Sequence, residues 1–151
     1  MVKLNLNLII LILTSTISFC AYGQNVNLII FINDEIVTNS LGLRFNNNVS
    51  HREYKVNYYP GKKIEIDNND VFKEDVILKF DYQGFDEKKK IKSYNYNIPL
   101  SKGLFYDTDY LIVRIYNLDM KQYKKRYCKF KDDYVVEFKN RRYSQDIVQC
   151  K

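Results

Sequence analysis

The chain has 151 residues, and its 24 basic and 18 acidic residues give a formal net charge of +6. This length suits one ordinary domain, and so modest a net charge is not a strong electrostatic steering field. A single histidine, three cysteines and five scattered glycines exclude linear zinc-binding and phosphate-loop motifs.

The amino terminus has the pattern of a secretory signal peptide. Lys3 supplies a positive charge, Leu8–Leu13 is an unbroken apolar run, and Thr14–Thr16 then lowers the hydrophobicity. The apolar run is shorter than the roughly 20 residues that a transmembrane helix needs. We predict that residues 1–23 are a cleaved signal peptide. Residues 24–151 would then form one exported domain, periplasmic or extracellular.

The position of the cut decides whether the domain is tethered. Ala21 and Gly23 place small residues at both positions of an A-x-A-like cleavage site. A lipoprotein signal would be cut before Cys20, but the residue in front of it is Phe19, which is too large. We expect the cut after Gly23. On the alternative reading, Cys20 carries lipid and anchors the domain to a membrane.

Cleavage after Gly23 leaves two cysteines, Cys128 and Cys150. An even pair in an exported chain favours a disulfide, which would pin the carboxyl-terminal tail onto a strand. Two free thiols are the alternative, because a sequence does not show the geometry that a disulfide requires.

After the signal segment the chain reads as a series of short strands. Apolar and polar residues alternate with the two-residue period of a strand, and turn residues separate the runs. No stretch shows a convincing apolar stripe of helical period. The predicted strands cover residues 26–32, 41–46, 53–58, 63–66, 76–83, 94–98, 110–116, 123–130 and 134–138. This pattern predicts an all-β fold, a single antiparallel β-sandwich of immunoglobulin-like or transthyretin-like type with about eight or nine short strands.

One short stretch supports the sandwich. The sequence YDTDYLIV, Tyr106–Val113, resembles the start of the penultimate strand in immunoglobulin-like and fibronectin type III sandwiches, where a tyrosine makes a corner hydrogen bond. Arg114 lies where that family buries an apolar side chain, and the chain has no tryptophan. The resemblance therefore implies a sandwich and no particular activity.

Candidate catalytic residues are few. His51 lies in a polar stretch, and the neighbouring Ser50 does not have the geometry of a nucleophile–base pair. Glu65 and Asp67 would share the solvent face of a strand, where carboxylates keep ordinary proton affinities. We therefore expect no catalytic residue, no metal site and no cofactor.

Basic and aromatic residues alternate near the carboxyl terminus, which is a composition that holds polyanions. In an exported protein the anion would be an envelope glycan, a lipid headgroup or an acidic partner protein rather than a nucleic acid. Lysines that protect an edge strand from aggregation are the alternative explanation. The candidate residues are Lys121, Lys124, Lys125, Arg126, Lys129, Arg141 and Arg142. A glycan platform made by Tyr54, Tyr58 and Tyr59 is a weaker hypothesis.

Together these observations predict an exported, non-enzymatic binding or structural module with an envelope protein or an acidic glycan as its partner. A small inhibitor or immunity protein that neutralises a periplasmic toxin or hydrolase is the alternative. An enzyme with a site assembled only in three dimensions is the third hypothesis.

Overall fold

We analysed a computed structural model of the chain, which describes residues 24–47, 49–66, 71, 74–105, 108–127, 129–142 and 147–149. The predicted signal peptide, residues 1–23, and Cys20 lie outside the described residues. So do Cys128 and Cys150, so that the disulfide stays a prediction.

Ten strands in the described parts of the chain form two packed sheets, which confirms the predicted all-β sandwich. In the first sheet the order is β10-β9-β8-β1-β2, and β5 also pairs with β1. Its strands are β1 (Gln24–Ile32), β2 (Glu35–Ile36), β5 (Ile64–Ile66), β8 (Tyr110–Asn117), β9 (Tyr134–Asn140) and β10 (Ile147–Gln149). The second sheet has the order β4-β3-β6-β7, with β3 (Leu41–Asn47), β4 (Glu53–Tyr58), β6 (Val76–Phe85) and β7 (Ile91–Leu100).

Nearly all strand pairs are antiparallel, and the pair β1–β8 is parallel. The pleat turns successive side chains to opposite faces, so that the alternating pattern of the sequence becomes one buried face on each sheet. Leu43 and Phe45 of β3 pack inside together with Leu78 and Phe80 of β6. Val113 of β8 closes the core from the first sheet.

A second, smaller core lies on the outer face of the first sheet, where a short helix, α1 (Lys121–Arg126), covers β8 and β9. The predicted return strand over residues 123–130 is therefore wrong. Tyr123 and Tyr127 are four residues apart, a spacing that puts both rings on one side of a helix. Both pack on the buried Tyr116, with ring centroids 5.1 and 5.2 Å away.

The β6–β7 hairpin is longer than the alternating pattern indicated. Its two strands pair over ten residues each, from Val76↔Leu100 to Phe85↔Ile91, whereas β3 pairs with β6 only over Val76–Lys79. The far half of the hairpin therefore extends beyond β3. A hydrogen bond from the Lys121 N–H to a Glu87 carboxylate oxygen and an ion pair between Lys92 and Asp119 (2.6 Å) hold it beside α1.

In the parts of the chain that the structure describes, no helix is long and apolar enough to cross a membrane. A 3₁₀ turn at Lys102–Leu104 leads from β7 toward β8.

Candidate binding groove

A groove of about 780 Å³ lies where the edge strand β7 faces the connection from β8 through α1 to β9. Its lining comes from residues 92–96, residues 117–119, Lys124 and residues 130–134. A shallower extension of about 310 Å³ continues along β7 past Asn95 and Asn97. The groove thus follows the free edge of the second sheet.

Every second residue of β7 points its backbone N–H and carbonyl groups toward this groove. The hydroxyl of Tyr134 accepts a hydrogen bond from the Asn97 N–H (2.8 Å) and donates one to the Asn97 carbonyl oxygen (2.9 Å). Asn97 therefore directs both backbone groups away from β6, and in an antiparallel ladder alternate residues share that direction. Ser93 and Asn95 must face outward as well. The backbone of Pro99 faces outward too, so its missing N–H removes no hydrogen bond from the ladder with β6.

Outside the β6–β7 ladder, no hydrogen bond to the backbone of Ser93 or Asn95 is found among the described residues, and the phase set by Asn97 turns both backbones away from β6. The side chain of Asn95 is turned to the outer face of the sheet, where its Nδ2 donates to Asp81 (2.6 Å). The side chain of Asn97 donates to the Oδ1 of Asn95 (2.8 Å). Ser93 and Asn95, the two successive outward-facing residues, thus offer two backbone N–H donors and two carbonyl acceptors.

The groove floor contains a further donor without a partner. Asn117 is 1% exposed and lines the groove. Its Oδ1 accepts a hydrogen bond from the hydroxyl of Tyr96 (3.0 Å), while its Nδ2 has no partner within the described structure. A buried donor of this kind costs free energy until a carbonyl oxygen or a water molecule satisfies it.

Tyrosines and paired charges form the walls. Asp119 accepts hydrogen bonds from Lys92 Nζ (2.6 Å) and from the hydroxyl of Tyr94 (3.2 Å). Burial, reinforced by the Asp119 charge, raises the pKa of Tyr94 to about 12. Tyr94 stacks on Tyr96, whose pKa is raised further by its deeper burial. These phenols therefore stay protonated at neutral pH and act as hydrogen-bond donors.

The helix that forms one wall is fixed by a buried polar cluster. Glu137 is 6% exposed and accepts hydrogen bonds from the hydroxyls of Tyr116 (3.2 Å) and Tyr127 (2.5 Å). Burial and these contacts with the carboxylate raise the pKa of Tyr127. The guanidinium of Arg126 lies over the Tyr127 ring at 5.2 Å. The polar groups of this cluster are buried and bonded to one another, so we assign the cluster a structural role.

The structure separates the predicted polyanion residues into two groups. Lys121, Lys124, Lys125 and Arg126 belong to α1, and the exposed Lys129 follows it. Arg141 and Arg142 follow β9 at its other end, since Tyr134 pairs with Asn117 and Asn140 pairs with Leu111. A strand of seven residues spans about 20 Å. The two groups therefore do not form one continuous patch, and polyanion binding stays a prediction for each.

The hypothesis of a tyrosine platform is wrong. Tyr58 is 1% exposed and lies in the core, and Tyr54 packs against the same core. Tyr59 is exposed, with Lys62 over its ring. His51 is an exposed turn residue with a φ of 53°. Within the described ranges, no three His, Cys, Asp or Glu residues are grouped so that they could hold a metal ion.

The groove residues Ser93, Asn95 and Tyr134 were not among the site residues predicted from the sequence. Pro99 at the end of a predicted strand was the available signal, because proline favours an edge strand. The sequence did not indicate which connection would face that edge. Comparisons with protein-family models, curated proteins and solved structures gave no match.

Proposed function

We propose that the protein is an exported, non-enzymatic binding module that captures an extended segment of an envelope protein in the groove along β7. The observation that carries the proposal is the outward backbone of Ser93 and Asn95, which offers hydrogen bonds at an open sheet edge. The signal-like segment at residues 1–23 supports export. The ligand would add one strand to the second sheet.

Strand addition explains why this edge suits a peptide. Main-chain hydrogen bonds supply affinity in that mode of recognition, and pockets for alternate side chains supply specificity. Ser93 and Asn95 together can exchange four backbone hydrogen bonds with an added strand. Every second side chain of that strand would point into the groove, toward Tyr94 and the Nδ2 of Asn117.

The structure also limits how far the added strand reaches. The Tyr134 hydroxyl occupies both backbone groups of Asn97, and Pro99 has no N–H to offer. The paired stretch therefore ends at Asn95. This gives a short recognition segment with a defined register, which suits a specific binder better than an open edge that is prone to aggregation.

Both signs of charge line the groove, so it does not favour a ligand with a strong net charge. The lining contains Lys124 and Lys131 as well as Asp132 and Asp133, and Lys92 is paired with Asp119. Because positive and negative groups alternate here, we propose a peptide rather than an acidic glycan as the ligand of this groove.

The test removes one backbone donor and leaves the fold intact. Asn95→Pro deletes an outward N–H that makes no bond to β6, and Asn95→Ala keeps that N–H while it removes the same side chain. Peptides selected from a displayed library on the parent protein should bind the proline variant about tenfold more weakly and bind the alanine variant nearly as well.

Amide exchange in the free protein provides an independent check. The amides of Tyr94 and Tyr96 point toward β6 and should exchange about 100-fold more slowly than those of Ser93 and Asn95. Selected peptides should then slow exchange at Ser93 and Asn95. Peptides that bind both variants equally and leave these two amides unprotected would refute strand addition.

A further inference from the structure

The tip of the β6–β7 hairpin exposes two large apolar side chains side by side. Phe85 is 64% exposed and Ile91 is 74% exposed, and the two residues pair directly across the hairpin. Both lie beyond the part of β6 that pairs with β3. They contribute nothing to either core, so the fold gives no reason for an aromatic and an aliphatic residue there.

The turn between these residues is hydrogen-bonded and basic. The Asp86 carboxylate accepts hydrogen bonds from the N–H groups of Lys88 (2.8 Å) and Lys90 (2.9 Å). The backbone of Asp86 is bonded to Lys89 and Lys90, and Lys89 adopts a left-handed φ of 57°. Three consecutive exposed lysines are thus held between Phe85 and Ile91 in a defined conformation.

The same end of the molecule collects further basic residues. Contacts of Glu87 with Lys121 and of Lys92 with Asp119 place the hairpin tip beside α1. Residues 85–92 and 119–126 together contain eight basic and three acidic side chains. Each of the three acids is already engaged within the protein. The excess positive charge therefore faces solvent around the apolar pair.

We propose that this basic hairpin end, residues 85–92 together with α1, docks on the surface of an anionic lipid bilayer. Phe85 and Ile91 enter the boundary between headgroups and acyl chains, where apolar side chains are stabilised. Lys88–Lys90 and the lysines of α1 contact the anionic headgroups, whose attraction falls off within a Debye length. A soluble polyanion would use the lysines but leave the two apolar side chains in water, so a bilayer matches both features.

This surface shares Lys92 and Lys124 with the groove lining but does not include the outward backbone of Ser93 and Asn95, so it extends the proposed function and does not depend on it. A module docked through the hairpin end would hold the β7 groove close to the membrane. Proteins displayed at that membrane would then be its partners.

The first test compares apolar substitutions at two places. Sedimentation with vesicles of about one-quarter phosphatidylglycerol in phosphatidylcholine should retain the parent protein, and Phe85→Ser with Ile91→Ser should lower the partition coefficient about tenfold. The control is Val49→Ser with Tyr59→Ser, which removes two exposed apolar side chains elsewhere (71% and 47% exposed). The control should bind like the parent.

The second test removes three positive charges from the hairpin in one variant and three from elsewhere on the surface in the control, so that both variants have the same net charge. Lys88→Gln, Lys89→Gln and Lys90→Gln together should lower retention by about tenfold or more, and raised salt should remove the difference. Lys55→Gln, Lys62→Gln and Lys63→Gln remove the same charge from exposed positions elsewhere and should have little effect.

Three outcomes would overturn the proposal: no binding to anionic vesicles, equal binding to pure phosphatidylcholine, or equal losses in hairpin and control variants. Equal losses in both sets would indicate binding by net charge alone, and no loss in either set would indicate binding elsewhere, such as by the amino-terminal apolar segment. All substituted side chains are exposed, and unchanged urea midpoints would show that the variants fold. Asn95→Pro should bind vesicles like the parent, which separates a failure of this proposal from a failure of the groove.

Discussion

Replacing Tyr134 with phenylalanine tests the edge geometry on which the groove depends. The substitution removes one hydroxyl that bonds both the N–H and the carbonyl oxygen of Asn97. The ring itself stays, including its edge-on contact with Tyr96 at 5.1 Å. The variant therefore changes hydrogen bonding at one residue of β7 and little else.

The expected loss follows from two neutral hydrogen bonds. Each contributes about 0.5–1.5 kcal/mol net, and water can reach the half-buried Asn97 and recover part of this. We expect Tyr134→Phe to lower the free energy of unfolding by about 1–2 kcal/mol. Urea unfolding measures this quantity, and the m-value should not change, because the fold buries the same surface.

Amide exchange locates the effect. The Asn97 amide should be protected in the parent and should exchange about tenfold or more faster in the variant, while Tyr96 and Ile98 keep their protection. Tyr82→Phe is the matched control, because its ring lies in the same hairpin and its hydroxyl makes no hydrogen bond among the described residues. The control should change stability by less than about 0.5 kcal/mol.

An unchanged Asn97 amide in Tyr134→Phe would refute the reasoning. It would mean that Asn97 directs its backbone toward β6, so that Tyr94 and Tyr96, rather than Ser93 and Asn95, face the groove. The register proposed for strand addition would then be shifted by one residue.

Two further predictions concern alkaline stability and the cysteines. Burial raises the pKa of Tyr94 and of Tyr123 from 10.0 to about 12. The unfolded chain therefore holds fewer protons than the native state between these values, and stability should fall as pH rises from 10 to 12. Absorbance at alkaline pH should show these phenols ionising late, and flat stability over that range would contradict the assignment. If Cys128 and Cys150 are bridged, Cys150→Ser should lower unfolding free energy by about 2–4 kcal/mol, and reduction should add two hydrogens to the intact mass. An unchanged melting temperature would exclude the bridge.

The alternating pattern predicted most strands because the pleat imposes a period of two on any strand with one buried face. Leu43 and Phe45 in β3, and Leu78 and Phe80 in β6, are buried as the pattern requires. The turn at Asn33 and Asp34 was also readable, since both residues tolerate the positive φ that they adopt.

The helix α1 shows where the pattern was ambiguous. In the sequence KQYKKRY, Lys121–Tyr127, the two tyrosines are four apart, which places them on one face of a strand and equally on one face of a helix. What decided between the two was Tyr116 on the outer face of β8, against which both rings pack. That neighbour is a property of the assembled sheet.

The sequence by itself determined the all-β class and the positions of most strands, because these depend on side-chain periodicity and local composition. Only the tertiary structure decided which edge of β7 is open, how Tyr134 covers part of it, and that the hairpin lysines lie beside α1. Those features depend on contacts between residues that are distant in the chain, such as Asn97 with Tyr134 and Glu87 with Lys121. Local periodicity carries no information about such contacts.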